Sequence, residues 1–341
     1  MTNLISPGPD PVSGPGPGAG AGPGVVTGTP TTLRLVVGYT AIVAMMPYLV
    51  LKALWMSGVN VGLNDASLLE DPATAVMNDI TAGLEVAAVG VALALTHRWG
   101  QRLPAWTLVA PLWLGMGLLV PRILLVPLSL LLSATAATDS PAPATPVIDP
   151  WVLVVVPLSF LLQAVMLAVA FVLYARTRWG RLLGARPGSF APGVTGPFQT
   201  TVAAAAGVLF AVAFAVRGAG VVVQTAADVR PAAAVLLGMN VLWAVLAVGG
   251  LLAVAGGRLA RRTRIWVPLT VTWLGSGSLF AWGALDVIAV LAPSKVFGDS
   301  GSPLIRVGTL VCVCVALVVA VVAGFAVLER NADLERDAAQ D

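Results

Sequence analysis

Long apolar runs, separated by short polar or Gly/Pro-rich breaks, set the pattern of this chain. Eight of them lie near 33–54, 73–96, 105–132, 151–174, 200–224, 232–256, 265–291 and 305–328. Several exceed the ~20 residues a helix needs to cross the hydrocarbon core of a bilayer. Unbroken runs of this length exclude a β-barrel, whose strands are short and alternate in polarity. The pattern predicts an all-α polytopic membrane protein with eight transmembrane helices. The third run is too long for a perpendicular span, so it is expected to tilt or break near Pro121 and Pro127.

The breaks carry an orientation. Arg98 and Arg102 follow the second run, Arg176, Arg178, Arg181 and Arg186 the fourth, and Arg258, Arg261, Arg262 and Arg264 the sixth. The loops after the first and third runs have no Lys or Arg and hold Asp65, Glu70, Asp71, Asp139 and Asp149. Positive charge stays on the cytoplasmic side of a membrane. Both termini and the Arg-rich turns are therefore expected in the cytoplasm, in the cell membrane (the inner membrane of a bacterium).

A motif occurs twice. Trp106, Trp113, Leu114, Gly115 and Gly117 recur as Trp266, Trp273, Leu274, Gly275 and Gly277, 160 residues later. Arg98 and Arg102 match Arg258 and Arg262 at the same offset, and Phe171 with Arg176 is echoed by Phe325 with Arg330. The spacing predicts an internal repeat of four spans per half. An even number of spans gives both halves the same orientation, so the repeat is parallel. The expected units are a Pro/Gly-rich cytoplasmic tail at 1–32, membrane repeats at 33–175 and 199–328, a cytoplasmic linker at 176–198 and a charged cytoplasmic tail at 329–341. The tail at 1–32 reads as disordered, and it has neither the positive start nor the apolar core of a secretory signal. The repeated glycines allow close helix approach. Trp99, Trp106, Trp179 and Trp266 read as an aromatic belt at one interface, Trp55 and Trp151 at the other.

Composition agrees. Of 341 residues, 58% are hydrophobic and 10% charged, with mean hydropathy +0.92. A soluble protein of this length needs more charge to cover its surface. The net charge of +3 comes from Arg in short turns, which fits membrane orientation and gives no reason to expect a nucleic-acid partner. Cys312 and Cys314 stand two apart in an apolar run and point to different sides of a helix, so neither a disulfide nor a metal pair is expected.

One stretch carries a resemblance. Lys52-Ala-Leu-Trp55-Met-Ser-Gly58, with Gly62-Leu63 beyond, follows the first span. It resembles the Lys-x-x-Trp-x-x-Gly segment after the first helix of uncharacterised polytopic integral membrane proteins of actinobacteria, and the repeated Trp-x6-Trp-Leu-Gly resembles that group as well. The resemblance covers the first three spans and, more faintly, the second half. It implies a multi-pass fold and brings no activity, substrate or site residue. In the second half Arg217-Gly-Ala-Gly220 stands where Lys52 to Trp55 would be.

Ionisable residues inside spans are costly and usually face a bundle interior or a wet cavity. At ~1.5 Å per residue, depth can be counted from the Arg-rich end. Lys52, 18 residues beyond Arg34, lies near the outer edge. Arg122, Arg217, Asp79 and Asn240 fall at a similar level and Asp286 slightly further out. Glu85, 12 residues from His97, lies well inside the hydrocarbon, with Gln163 at nearly that depth. The set suggests a funnel open to the outside, with Glu85 at its floor and a ring of mixed charge above. The competing reading pairs these charges to hold helices together or lets them snorkel to the headgroups.

Other motifs carry less. Gly298-Asp299-Ser300-Gly301-Ser302-Pro303 resembles a serine-protease nucleophile segment, but the one histidine, His97, is expected on the opposite side of the membrane. These are turn residues of an external loop. His97 is expected to meet the last carbonyls of its helix. No metal constellation, dinucleotide fingerprint or phosphate loop is present, so no cofactor is expected. No nucleophile–base pair points to an enzyme. An intramembrane enzyme therefore ranks last of three function classes, behind a permease or channel-like protein for a small polar or charged solute, and a non-enzymatic scaffold, sensor or accessory subunit partnered by another membrane protein. The lipid bilayer is a partner in every case.

Overall fold

The computed structural model describes residues 32–135, 148–185, 195–224, 230–255, 263–291 and 302–340. Among them are eight long helices: α1 (Thr32–Met56), α2 (Pro72–Thr96), α3 (Trp106–Thr135), α4 (Pro150–Gly184), α5 (Gly196–Gln224), α6 (Arg230–Val254), α7 (Trp266–Leu291) and α8 (Pro303–Gln340). All eight are long and apolar enough to cross a membrane. The chain is an all-α, multi-pass membrane protein. The expected tail at 1–31, the centre of the loop at 136–147, the linker segment 186–194 and Gly298 to Gly301 lie outside the described residues.

Local chemistry sets the helix starts. Asp71 caps α2, its carboxylate accepting from the Thr74 amide at 3.2 Å, and Pro72 opens the first turn. Asp149 and Pro150 open α4. Ser302 accepts from the Ile305 amide at 3.3 Å ahead of Pro303, so the end of the protease-like hexapeptide begins α8. His97 closes α2: its backbone N–H bonds to the Leu93 carbonyl, and its Nδ1 lies 3.0 Å from the same oxygen. That is the role its position predicted.

Two helices run past their predicted ends. α4 continues to Gly184, with non-helical backbone at Trp179 (φ −126°, ψ 26°). Arg176 to Leu183 hold no Pro, and Gly180 next to the non-helical Trp179 bends the helix without ending it; the bend folds Trp179 against Phe171 and Tyr174. The charged tail predicted at 329–341 is helical to Gln340, braced by Asn331–Glu335 at 2.8 Å and Arg336–Asp333 at 3.0 Å. A run that leaves the bilayer loses its apolar residues without losing its helical propensity. α3 is one helix through both Pro121 and Pro127, so the expected break is not seen.

The packing order is the same in each set of four. α1 packs on α2 and α4, α3 on α2 and α4, and α2 touches α4; α5 packs on α6 and α8, α7 on α6 and α8, and α6 touches α8. One apolar core centres on Ala41, Met45, Leu95, Leu108 and Ala170, the other on Ala206, Phe210, Ala247, Leu251 and Ala316. Small residues let these helices approach closely: Gly38 lies against the Thr96 side chain where α1 crosses α2. Large apolar side chains such as Val43, Val86, Val208 and Phe325 point outward, as a surface facing hydrocarbon requires.

α3 and α7 join the two sets. The repeated motif lies in that joint. Gly117 meets the Gly277 backbone. Trp113 donates its indole N–H to Ser276 Oγ at 3.1 Å and packs on Phe280, with centroids 4.8 Å apart. Trp273 stacks on Phe171 of α4 at 5.5 Å. The motif acts in packing, as the sequence suggested.

Candidate functional site

Three helices of the first set place polar side chains face to face. On α1, Tyr48, Lys52 and Trp55 stand at i, i+4 and i+7, on one face. On α2, Asn78, Thr81 and Glu85 stand at i, i+3 and i+7. On α4, Phe160 and Gln163 are one turn apart. Since α1 packs on both α2 and α4, the three faces converge.

Lys52 is 7% exposed. Its Nζ donates to Asn78 Oδ1 at 2.6 Å and lies 5.1 Å from the ring centres of both Tyr48 and Trp55. The charge is held by one amide oxygen and two aromatic faces, an arrangement that tolerates burial. Tyr48 packs edge-on against Phe160 at 4.8 Å, and its phenol has Thr81 and Glu85 as polar neighbours.

A turn or two further in is Glu85, 7% exposed, with Gln163 at 2%. Gln163 Nε2 donates to Glu85 Oε2 at 3.2 Å. The other oxygen of each group, Glu85 Oε1 and Gln163 Oε1, is buried with no hydrogen-bond partner. Buried oxygens of this kind are uncommon, because each loses its water on folding and regains nothing.

The Trp55 ring of its own helix covers Lys52, and the loop after α1 is fastened beside it. Trp55 donates its indole N–H to the Val61 carbonyl at 2.8 Å. Gly58 (φ 83°) and Gly62 (φ 73°) take the left-handed conformation that turns the chain back. Gly62 accepts from the Asp149 amide at 3.0 Å, Leu63 forms a β-bridge with Ile148, and Asn64 donates to the Asp149 carboxylate at 2.9 Å. The Lys-x-x-Trp-x-x-Gly stretch thus holds its Trp over Lys52 and is clipped, through the loop that follows, to the start of α4.

The remaining sequence candidates lie elsewhere. Arg122 stacks over Trp282 of α7 at 4.3 Å. Arg217 lies against Gly308, with Asp286 and Cys312 as its electrostatic neighbours. Asn240 donates to its own helix, at Leu236 O, 3.0 Å away. Asp79 is exposed, about 100° around α2 from the buried Asn78. The structure therefore brings Lys52, Glu85 and Gln163 onto one face, sets Arg217 and Asp286 as electrostatic neighbours in the second set, and leaves Arg122, Asn240 and Asp79 apart. Tyr48, Asn78 and Thr81 belong to the site without having been singled out, and Trp55 was read only as part of the aromatic belt and of the Lys-x-x-Trp-x-x-Gly stretch. Their i, i+3, i+4 and i+7 spacing from Lys52 and Glu85 was the signal.

Two further features bear on function. At the Arg-rich end, an open groove of about 340 Å³ between α5 and α8 is lined by Phe198, Val322, Phe325 and Leu328, with Gln199 and Glu329 at its polar edge. Among the described residues, no group of three or more His, Cys, Asp or Glu is placed to hold a metal ion. Compared with known protein families, with curated proteins and with solved structures, the chain matches none.

Proposed function

We propose that this protein is a permease or channel-like membrane protein for a small polar or charged solute, and that the Lys52–Asn78–Glu85–Gln163 face is its binding path. One observation carries the reading. Glu85 and Gln163 each keep a buried acceptor oxygen unpaired in the middle of a span. Left bare in hydrocarbon, such oxygens cost free energy that no packing recovers, so something from outside the chain, a proton or a polar solute, must satisfy them. A binding site leaves such atoms for its ligand.

The same reading takes the halves as a parallel duplication, with both termini cytoplasmic in a bacterial inner membrane. The repeated motif and the matching packing orders of the two sets support the duplication. The Arg-rich turns support the orientation.

The test is a thermal-shift screen of the purified protein in detergent against ions and small polar solutes, with Glu85→Gln alongside, followed by flux into proteoliposomes. A ligand stabilises the state it binds. The reading expects one solute class to raise the wild-type transition and to leave the variant's unmoved. If no solute acts and no flux is seen, the scaffold or accessory-subunit reading takes its place. The apolar groove at Phe198 and Phe325 is the observation that favours that second reading.

A further inference from the structure

We infer that Glu85 holds a proton in this conformation: its Oε1 hydroxyl donates to Gln163 Oε1 while Gln163 Nε2 donates to Glu85 Oε2, so the pair is a proton-binding site. The consequence for transport, a proton as the coupling ion, rests on the permease reading. The assignment of the proton does not.

The argument is a count of donors and acceptors. An ionised carboxylate only accepts, and the amide oxygen of Gln only accepts. With Glu85 ionised, two buried acceptors face no donor, which is the pattern found at Glu85 Oε1 and Gln163 Oε1. One added hydrogen satisfies both. A carboxylic acid has one donor and one acceptor edge and a carboxamide has the same, so they close a ring of two hydrogen bonds. One of these is already present at 3.2 Å.

Two other occupants fit less well. A lysine partner would remove the need for the proton, but the Lys52 ammonium donates to Asn78 at 2.6 Å and rests on Tyr48 and Trp55. A hard metal cation takes about six oxygen ligands, and among the described residues two buried oxygens without a partner stand on this face. The ionisable groups of the neighbouring helices are few. α1 contributes Tyr48 and Lys52 here, with Arg34 and Tyr39 at its far end. α3 contributes only Arg122, which lies on Trp282. Tyr174, Arg176, Arg178 and Arg181 of α4 stand at the Arg-rich end, and Asp79 of α2 is exposed.

Loading and release exchange this proton with water. The Oε1–H bond breaks, its electron pair stays on the carboxylate, and the proton leaves as hydronium. The carboxylate then loses its donated bond to Gln163 and repels that amide oxygen. Release should therefore separate α2 from α4 at this level.

The test is infrared spectroscopy of the purified wild-type protein at neutral pH. The expected result is a carbonyl band of a protonated carboxylic acid that shifts on exchange into D2O and is absent from Glu85→Gln. That variant should fold, since two amides close the same ring. Gln163→Leu should move the band toward the position of an unbonded acid. Absence of an acid band, or its persistence in Glu85→Gln, overturns the assignment. Stabilisation of the wild type by sodium or lithium, lost in Glu85→Gln, also overturns it, in favour of a metal cation. Proteoliposome flux under an imposed pH gradient separates the two proposals. An acid band without flux removes the permease and keeps the proton. Flux indifferent to the pH gradient, with no acid band, does the reverse.

Discussion

Gly117 of α3 and Gly277 of α7 meet backbone to backbone, so the two halves of the bundle are joined at the second glycine of each copy of the repeated motif. A Cβ on Gly117 would run into the Gly277 carbonyl, which is main chain and cannot swing aside. Gly115, two residues earlier, has nothing within 4 Å of where its Cβ would be. Gly117→Ala should cost about 1–3 kcal/mol by overpacking. Gly115→Ala should be neutral or gain up to ~1 kcal/mol from helix propensity. Thermal unfolding of both variants in detergent checks this. Equal effects would mean that the joint is not built on that contact.

Lys52 and Asn78 should behave as a coupled pair. Lys52→Met leaves Asn78 Oδ1 buried without its donor, a loss of about 1–3 kcal/mol. Asn78→Leu is expected to be worse, because it strips the one oxygen from a buried ammonium. The double variant should recover part of the sum, giving a coupling energy of about 0.5–3 kcal/mol. Additive losses would show that the 2.6 Å bond contributes little to the fold.

Depth was legible in the sequence and azimuth was not. Hydrocarbon imposes a length and a polarity on every span, so eight helices and the levels of Glu85 and Gln163 could be counted from the Arg-rich turns. A count of residues says nothing about which way a side chain points unless a face is followed at helical spacing. Asp79 and Asn78 make the case: they sit at one depth, about 100° apart around the helix, and the uncharged neighbour is the one that meets Lys52. A search for charge chose the wrong residue of the two. The ends of α4 and α8 were missed for a related reason, since polar residues mark the edge of the bilayer and not the end of a helix. Arg217 corresponds to Lys52 by position, yet Gly220 stands where Trp55 would and packs on Ile305 of α8 and on Ser302 just before it. Without the indole no cage forms, and Arg217 has Asp286 and Cys312 as neighbours instead.

Arginines at the Arg-rich end tie the last carbonyls of one helix to another. Arg34 donates to Leu95 O at 2.6 Å, Arg178 to Leu103 O at 2.8 Å, and Arg330 to Val254 O. These oxygens lie at or just past helix ends, where intrahelical donors run out. Arg330→Ala should therefore cost about 1–3 kcal/mol. Arg336, six residues on along the same helix, pairs with Asp333 while its side chain stays 72% exposed, and Arg336→Ala should change the unfolding temperature little. A similar loss in both would argue for a general effect of charge at that end.

The cover that Trp55 gives Lys52 can be tested chemically, because the chain has two lysines, Lys52 and Lys295. Lys52 is 7% exposed beneath Trp55, so a membrane-impermeant amine reagent should modify it slowly in the wild type. Trp55→Ala removes both the ring and the bond to Val61 O and should raise modification at Lys52 several-fold, read by peptide mapping. Gly62→Ala should act in the same direction, since its Cβ would strike the Val152 side chain at the start of α4 and its backbone is left-handed. The compartment of the reagent adds a second answer. Labelling of Trp55→Ala on intact cells agrees with an outward-facing Lys52 and cytoplasmic termini. Labelling confined to inverted vesicles reverses the orientation, while rapid labelling of the wild type would mean that Trp55 does not cover Lys52 at all.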